Sequence, residues 1–468
     1  MTDRKTILFL FVRALSAAVN VLSIAIFTRL AGPVDYGQYL IIFAWATILF
    51  GFATQWMKFA YFGVYRPGPK SDEFLLSFGA LALGATGIVF LLVLTVALTG
   101  LIPLSISFPV FTLVLGMTFY EGAFEASRTQ QDNKIMILAM LLRATLMLLL
   151  GAGALIYAES AQNLAYAIAI AHVLAAAPSL FSFRHSNLNA ATWTTILKIV
   201  RYGWPLALAF GVVAAGQSVD RLLLAQLVGA DKMAPYGVIS DFLRQTYMVA
   251  GEGIALSLIT TAKHHFNKGN QAESDRIMRQ AFTACLSAAI FGALFFIFLG
   301  DEIVSVLLGP DFRQSAIAAL PILAIAFAIM TMRLFYFAQI IYFTASTSIE
   351  LIVALIFVLT SVTGVFLLVP AHGAVGAATA LLLANLVSTL LLIAIGRRTY
   401  LLPIDRKGAI FIILLAVAAA VICYAIESAG LDKFIRFGAQ AAVIGACAVI
   451  LLLRFRFWGV SPITLPQH

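Results

Sequence analysis

Charged residues are scarce in this sequence: Asp, Glu, Lys and Arg together make 11% of 468 residues, while 62% are hydrophobic and the mean hydropathy is +1.00. A water-soluble domain carries about 25% charged residues, so that class is excluded and a chain that crosses a membrane many times is what remains. Cysteine is nearly absent. Cys285, Cys423 and Cys447 all fall in apolar runs without ligand spacing, which excludes a disulfide framework or zinc site and leaves packing roles. Alternating ten-residue strands are also lacking, whereas apolar runs of about 20 residues recur from end to end, so helices rather than a barrel are expected to span the bilayer. The longest polar stretch, Thr261 to Gln280, is too short for a soluble catalytic domain and reads as a loop with a short polar helix around Ala272 to Arg279. Its adjacent His264 and His265, in a basic loop, read as solvated; no metal site and no cofactor is expected.

What is present is a succession of spans. Fourteen are expected: Ile7 to Leu30, Tyr36 to Met57, Leu75 to Leu98, Leu101 to Phe124, Ile135 to Tyr157 and Leu164 to Phe183 form a first set of six. Val200 to Val228, Tyr236 to Thr260, Ala281 to Leu299, Ser315 to Phe343, Leu351 to Val369 and Ala374 to Ile395 form a second, followed by Ala409 to Ile426 and Phe437 to Leu453. Arg4 and Lys5 precede a segment too long for a signal-peptide core, so the first span is read as uncleaved. With the N-terminus inside, twenty of the thirty Lys and Arg fall on inner segments, among them Lys58, Arg66, Lys70, Arg128, Arg184, Lys263, Arg276, Arg397, Arg406 and Arg456. Five fall outside, and Arg13, Arg143, Arg221, Arg244 and Arg333 lie within spans. This bias places both termini in the cytoplasm. It also accounts for the net charge of +9, which therefore carries no implication of nucleic-acid binding.

The two sets of six share a pattern. A shift of 197 positions lays Gly229 on Gly32, Tyr236 on Tyr39, Leu227 on Leu30, Gln217 on Asn20 and Asp220 on Ser23. In the first span Arg13, Ser16, Asn20 and Ser23 follow helical steps of three and four and share one face; Ser16 and Ser23 read as packing, Arg13 and Asn20 as cavity-facing. Gln217, Asp220 and Arg221 continue that face in the second copy. Span eight adds Asp241, Arg244, Gln245 and Glu252, with Gln55 as the counterpart of Glu252. Asp220 and Asp241 each have an arginine near enough in sequence for a structural ion pair, or can serve as ion sites; Glu252, in an apolar sequence neighbourhood, is the candidate proton site. Deep cations exceed these three carboxylates by two, and Arg makes paired, charge-assisted bonds to phosphate oxygens. The expected substrate contacts are therefore Arg13, Asn20, Arg143, Gln217, Arg221, Arg244 and Arg333, with an anionic substrate and no catalytic residue.

At these residues the chain resembles the polysaccharide (oligosaccharide) flippases, the Wzx-like branch of the multidrug/oligosaccharidyl-lipid/polysaccharide exporter superfamily. The resemblance rests on Thr28 to Tyr39, Gly203-Trp204-Pro205, Asp220-Arg221 and Gly229 through Gly237. Leu308-Gly309-Pro310-Asp311-Phe312 and Pro370 with Gly373 to Ala380 extend it. It implies an all-α polytopic membrane protein of V-shaped exporter fold: two pseudo-symmetric six-helix lobes, residues 1–199 and 200–400, plus two C-terminal helices and a cytoplasmic tail in 401–468. It implies a bacterial inner-membrane flippase that moves undecaprenyl-diphosphate-linked oligosaccharide from the cytoplasmic to the outer leaflet by alternating access, driven by H⁺, by Na⁺ or by no ion, an antiporter in the first two cases. Polysaccharide polymerase machinery would be its protein partner and membrane lipid its surroundings, with the last two helices walling a groove for the lipid tail. A lipid II flippase or a drug exporter of the same superfamily is the alternative. An O-antigen polymerase or ligase would need an extended outer loop, and the largest here, Gly300 to Gln314, is short and holds one Arg.

Overall fold

The computed structural model describes residues 4–65, 71–100, 103–130, 132–183, 190–340, 343 and 348–455. Arg66, Lys70, Arg184 and Arg456, among the cations assigned inside, lie outside the described residues. Every element is helical, with no strand among the described residues. α1 runs Arg4–Leu30. α2, Pro33–Phe50, starts with Gly32 as N-cap and Pro33 in its first turn, where a missing N–H costs nothing. It passes through a π-turn, Gly51–Gln55, into α3, Trp56–Val64. α4 is Ser71–Leu98, α5 Leu104–Thr129, α6 Asn133–Tyr157 and α7 Ala161–Ser182. Asp132 caps α6 by accepting from Ile135 N at 3.2 Å, and Thr192 caps α8, Trp193–Gly216, by accepting from Thr195 N at 3.3 Å.

The second copy begins with α9, Val219–Val228, and α10, Ala230–Ile254. α2 starts at Pro33 and α10 at Ala230, 197 positions apart, so the repeat seen in the sequence is a repeat of helix starts. A second π-turn, Ala255–Ile259, leads from α10 into α11, Thr260–Asn267. It lies seven residues, two helical turns, later than the first copy's. Gln55 is the last residue of the first π-turn, whereas Glu252 precedes the second. α12 is Gln271–Leu307, α13 Pro310–Phe335, α14 Ser348–Thr399, α15 Arg406–Ser428 and α16 Lys433–Phe455.

Among the described residues, twelve stretches are long and apolar enough to cross a membrane. α10 is missing from them because it carries Asp231, Lys232, Asp241, Arg244 and Glu252, and α14 counts once although its helix is broken at Gly373 (φ 52°, ψ −128°). Counting both arms of α14 and adding α10 gives the fourteen passes expected. Three expectations change. The span Val200 to Val228 is broken at Gln217-Ser218, where Ser218 takes φ −127° and ψ −18°. The helix expected to end at Met57 continues to Val64 because the π-turn bends it without ending it. The polar loop Thr261 to Gln280 is mostly helix: only 268–270 separate α11 from α12, so the polar segment is most of α11 and nearly the first three turns of a 37-residue helix.

The chain forms two compact bodies. The first comprises Thr2–Ala234 with Leu307–Phe312. Within it α1 packs along α6, α5 and α6 along α7, and α3 along α8. The α8 contact depends on small residues: a Cβ on Gly203 would stand 2.4 Å from the Trp56 ring and 2.7 Å from Ala60, and one on Gly211 2.0 Å from the Phe52 ring. Membrane helices lack a solvent-driven attraction to each other and gain from this close fit. Leu307–Phe312 docks on the end of α1. Gly309 N donates to Thr28 Oγ1 at 3.1 Å, Arg29 Nη1 donates to Leu307 O at 3.1 Å, and Phe312 meets Tyr36 edge-on at 5.9 Å. Two of the motifs noted in the sequence are thus one contact.

The second body comprises Pro235–Val306 with Arg313–His468. Tyr247 of α10 packs on Phe296 of α12 and donates to Ala324 O of α13 at 3.2 Å. α15 and α16 pack on one another and on α12 through Ile412, Ala419, Cys423, Ile444, Cys447, Phe291 and Leu299. Gln440, the polar residue in the middle of α16, is buried and donates to Cys423 O at 3.2 Å. Their other faces present Leu414, Val421 and Leu453 outward, as lipid-facing helices do.

Candidate functional site

In the first body Ser16 and Ser23 are buried, Arg13 and Asn20 half-buried. Ser23 donates to Val19 O at 2.9 Å, whereas Ser16 Oγ and Asn20 Oδ1 have no hydrogen-bond partner among the described residues. α1 lies along α6, which carries Arg143. The Arg143 guanidinium sits over the Tyr120 ring, 4.9 Å from its centroid, and its buried Nε has no acceptor among the described residues. Tyr120 meets His172 edge-on at 5.7 Å, and His172 Nδ1 lies 2.8 Å from Ile168 O. Beside Tyr120, Glu121 Oε2 accepts from Lys58 Nζ at 2.8 Å, with Arg143 and His172 in electrostatic reach. This cluster joins α3, α5, α6 and α7.

The helix break divides the other expected group. Gln217, at the C-terminus of α8, is exposed, while Asp220 and Arg221, in the first turn of α9, are 3% and 2% exposed. Successive residues on a helix do not face one another, and each of the two takes part in interactions within the protein. A buried charge persists only with such partners.

In the second body Asp241 and Arg244, one turn apart on α10, form a half-buried ion pair. Glu252 is half-buried further along the same helix. Arg333 on α13 sits over Phe357 at 5.0 Å and reaches Asn385 Oδ1 at 3.4 Å; Asn385 is 1% exposed and donates to Leu381 O at 3.0 Å.

Lys58, Tyr120, Glu121, His172 and Asn385 were given no site role from the sequence. A usable signal existed for Lys58: it stands between Trp56-Met57 and Phe59-Ala60-Tyr61-Phe62, with no turn residue to end the helix. Asn385 is a lone amide in an apolar run, which in a membrane helix marks a contact.

Helices of bilayer length with half-buried cations inside them define a multi-pass membrane protein. No family model matches the sequence, and no curated protein does. Its fold is similar to that of a lipid II flippase MurJ in an inward closed conformation, with TM-score 0.71, 16% identity, and 96% of this chain and 99% of that one covered. It is also similar to an inward-facing multidrug resistance transporter of the MATE family of the MOP superfamily (TM-score 0.63, 14% identity, 82% and 94% covered). A MOP superfamily transporter from Pyrococcus furiosus with a binding pocket of reverse polarity follows (TM-score 0.55, 13% identity, 84% and 93% covered). The chain has the fold of MOP-superfamily transporters.

Proposed function

We propose that this protein is a flippase, not an enzyme, that carries undecaprenyl-diphosphate-linked oligosaccharide across a bacterial inner membrane for surface polysaccharide assembly of the O-antigen or exopolysaccharide kind. The observation that carries this reading is Arg143: a half-buried guanidinium, held over Tyr120, whose buried Nε has no acceptor among the described residues. Such a group fits a diphosphate, to which Arg binds through its fork of donors. A cationic drug would meet repulsion there. The fold match to a lipid II flippase supports lipid II as the second reading, since it shares a diphosphate lipid. Removing the protein from cells and identifying which lipid-linked sugar accumulates on the inner leaflet tests both. Accumulation of an oligosaccharide carrier supports the first, of lipid II the second, and of neither rejects both.

Termini inside is part of the proposal. In a background without Cys285, Cys423 and Cys447, Asn267→Cys should resist an impermeant thiol reagent in intact cells and Ser428→Cys should react, both positions being exposed. The reverse pattern inverts the topology.

Glu252 is proposed as the coupling carboxylate, with Asp220 and Asp241 as charges that hold structure or coordinate Na⁺. An ion biases alternating access only by binding the two states differently. Glu252→Gln is expected to bind substrate yet stop responding to an imposed pH gradient in proteoliposomes. A variant that flips at the wild-type rate with the same gradient response makes Glu252 a packing residue.

A further inference from the structure

The first body holds a slot of about 210 Å³ walled by α4, α5 and α7. Its lining is apolar, and Leu83 and Leu180, which line it, are 59% and 44% exposed, so it opens at the protein surface. It exists because side chains are missing: Gly79 and Gly122 line it, a Cβ on Gly79 would meet nothing within 4 Å, and one on Gly122 only the Phe78 ring at 3.5 Å. On lipid-facing helices such a slot does not hold water, since apolar cavities stay dry. Its lining suits hydrocarbon.

The slot has a charged end. A smaller cavity bounded by Lys58, Glu121 and Thr54 shares Phe78, Ala82, Thr118 and Gly122 with it, so only these four residues separate the two. Thr54 and Thr118 share a hydrogen bond of 3.0 Å there. Around this end Lys58, Arg128 and Arg143 outnumber Glu121 and Glu125 by one. An apolar slot that ends beside the Lys58–Glu121 ion pair, with a cationic surplus around it, is complementary to one molecule with a hydrocarbon chain and an anionic head.

We infer that the α4–α5–α7 slot takes the polyprenyl chain of the substrate next to its phosphate, with the phosphate replacing Glu121 as the partner of Lys58. This rests on the flippase reading and adds to it a tail site in the first body, apart from α15 and α16. With the termini inside, the slot lies in the inner half of the membrane, where the substrate is loaded.

The test uses the full-length protein in detergent, with polyprenyl phosphate as probe and bound lipid read by native mass spectrometry. Gly79→Leu should fold normally and lower occupancy about tenfold, because a side chain then replaces several buried methylenes of the ligand. Gly122→Ala should lower it less, and Lys58→Gln should lower it for polyprenyl phosphate but not for the uncharged polyprenol. Wild-type occupancy in Gly79→Leu, with flipping intact in proteoliposomes, overturns the slot and leaves the flippase reading standing. Displacement of the probe by an equal mole fraction of phosphatidylglycerol makes the slot a general lipid site and also overturns it. If the wild type neither binds polyprenyl phosphate nor flips a lipid-linked oligosaccharide, the flippase reading fails and the slot with it.

Discussion

Gly309→Ala is expected to destabilise the protein by about 2–4 kcal/mol, read as a lower melting temperature of the purified chain. A Cβ at this position would stand 2.0 Å from Thr28 O and 2.9 Å from Thr28 C. Both are backbone atoms of a helix end, so no side chain can rotate aside. The segment must instead lift away, losing the Gly309 N to Thr28 Oγ1 and Arg29 to Leu307 O hydrogen bonds and the Phe312 contact with Tyr36. Gly438→Ala is the comparator: nothing lies within 4 Å of its Cβ position, and alanine favours helix. It should melt with the wild type or slightly above. If Gly309→Ala does the same, the close approach of the two segments is not a property of the folded protein.

The second large effect is on transport. Arg143→Ala should reduce flipping by about 10- to 100-fold, the value of one or two hydrogen bonds to a charged group, while the amount of folded protein stays near normal. Arg143→Lys should recover part of the activity, because it keeps the charge but loses the planar fork and its fit over Tyr120. Arg397→Ala, at the exposed end of α14, should leave transport unchanged. Equal flipping by wild type and Arg143→Ala would remove the phosphate argument. Loss of the cation–π contact alone, worth about 0.5–2 kcal/mol, would show as lower stability without lower activity per folded molecule.

Some of this was legible in the sequence, for definite reasons. The starts of α2 and α10 are marked by Gly32-Pro33, the N-cap and first turn of α2, and by Gly229 at φ 96° just before α10. Pro370 and Gly373 likewise announced the break in α14, whose two arms fold back on one another, with Gly364 against Ala380. The break at Gln217-Ser218 was hidden because apolar residues at helical spacing continue on both sides of it, and Ser218 leaves the helical region without being a glycine or proline. The continuation of α2 into α3 was hidden for the opposite reason: a π-turn adds a residue per turn and leaves no mark in composition. Lys58 counted as a loop cation because its partner Glu121 stands 63 residues away. Arg333 was read only as a deep cation and substrate contact because Asn385 is on the following helix, 52 residues on. A slot can be read from sequence even less readily, since it consists of what Gly79 and Gly122 do not fill.

The docking of Leu307–Phe312 on the end of α1 also sets an order of events during synthesis. Thr28 and Gly309, joined in the finished first body, are 281 positions apart in the chain. At 5–20 residues per second the ribosome makes the second roughly 15–55 s after the first. For that interval the Thr28 hydroxyl and Arg29 keep their bonds within α1, to Ile24 O and Ala25 O, and the contact with residues 307–309 waits while α2 through α12 are made. The first body is therefore begun by the N-terminal helices but completed only after about the first third of the second, Pro235–Val306, has been made. Fragments that stop before residue 312 should be recognised by membrane quality control as unfinished, even though they contain all nine helices of that body.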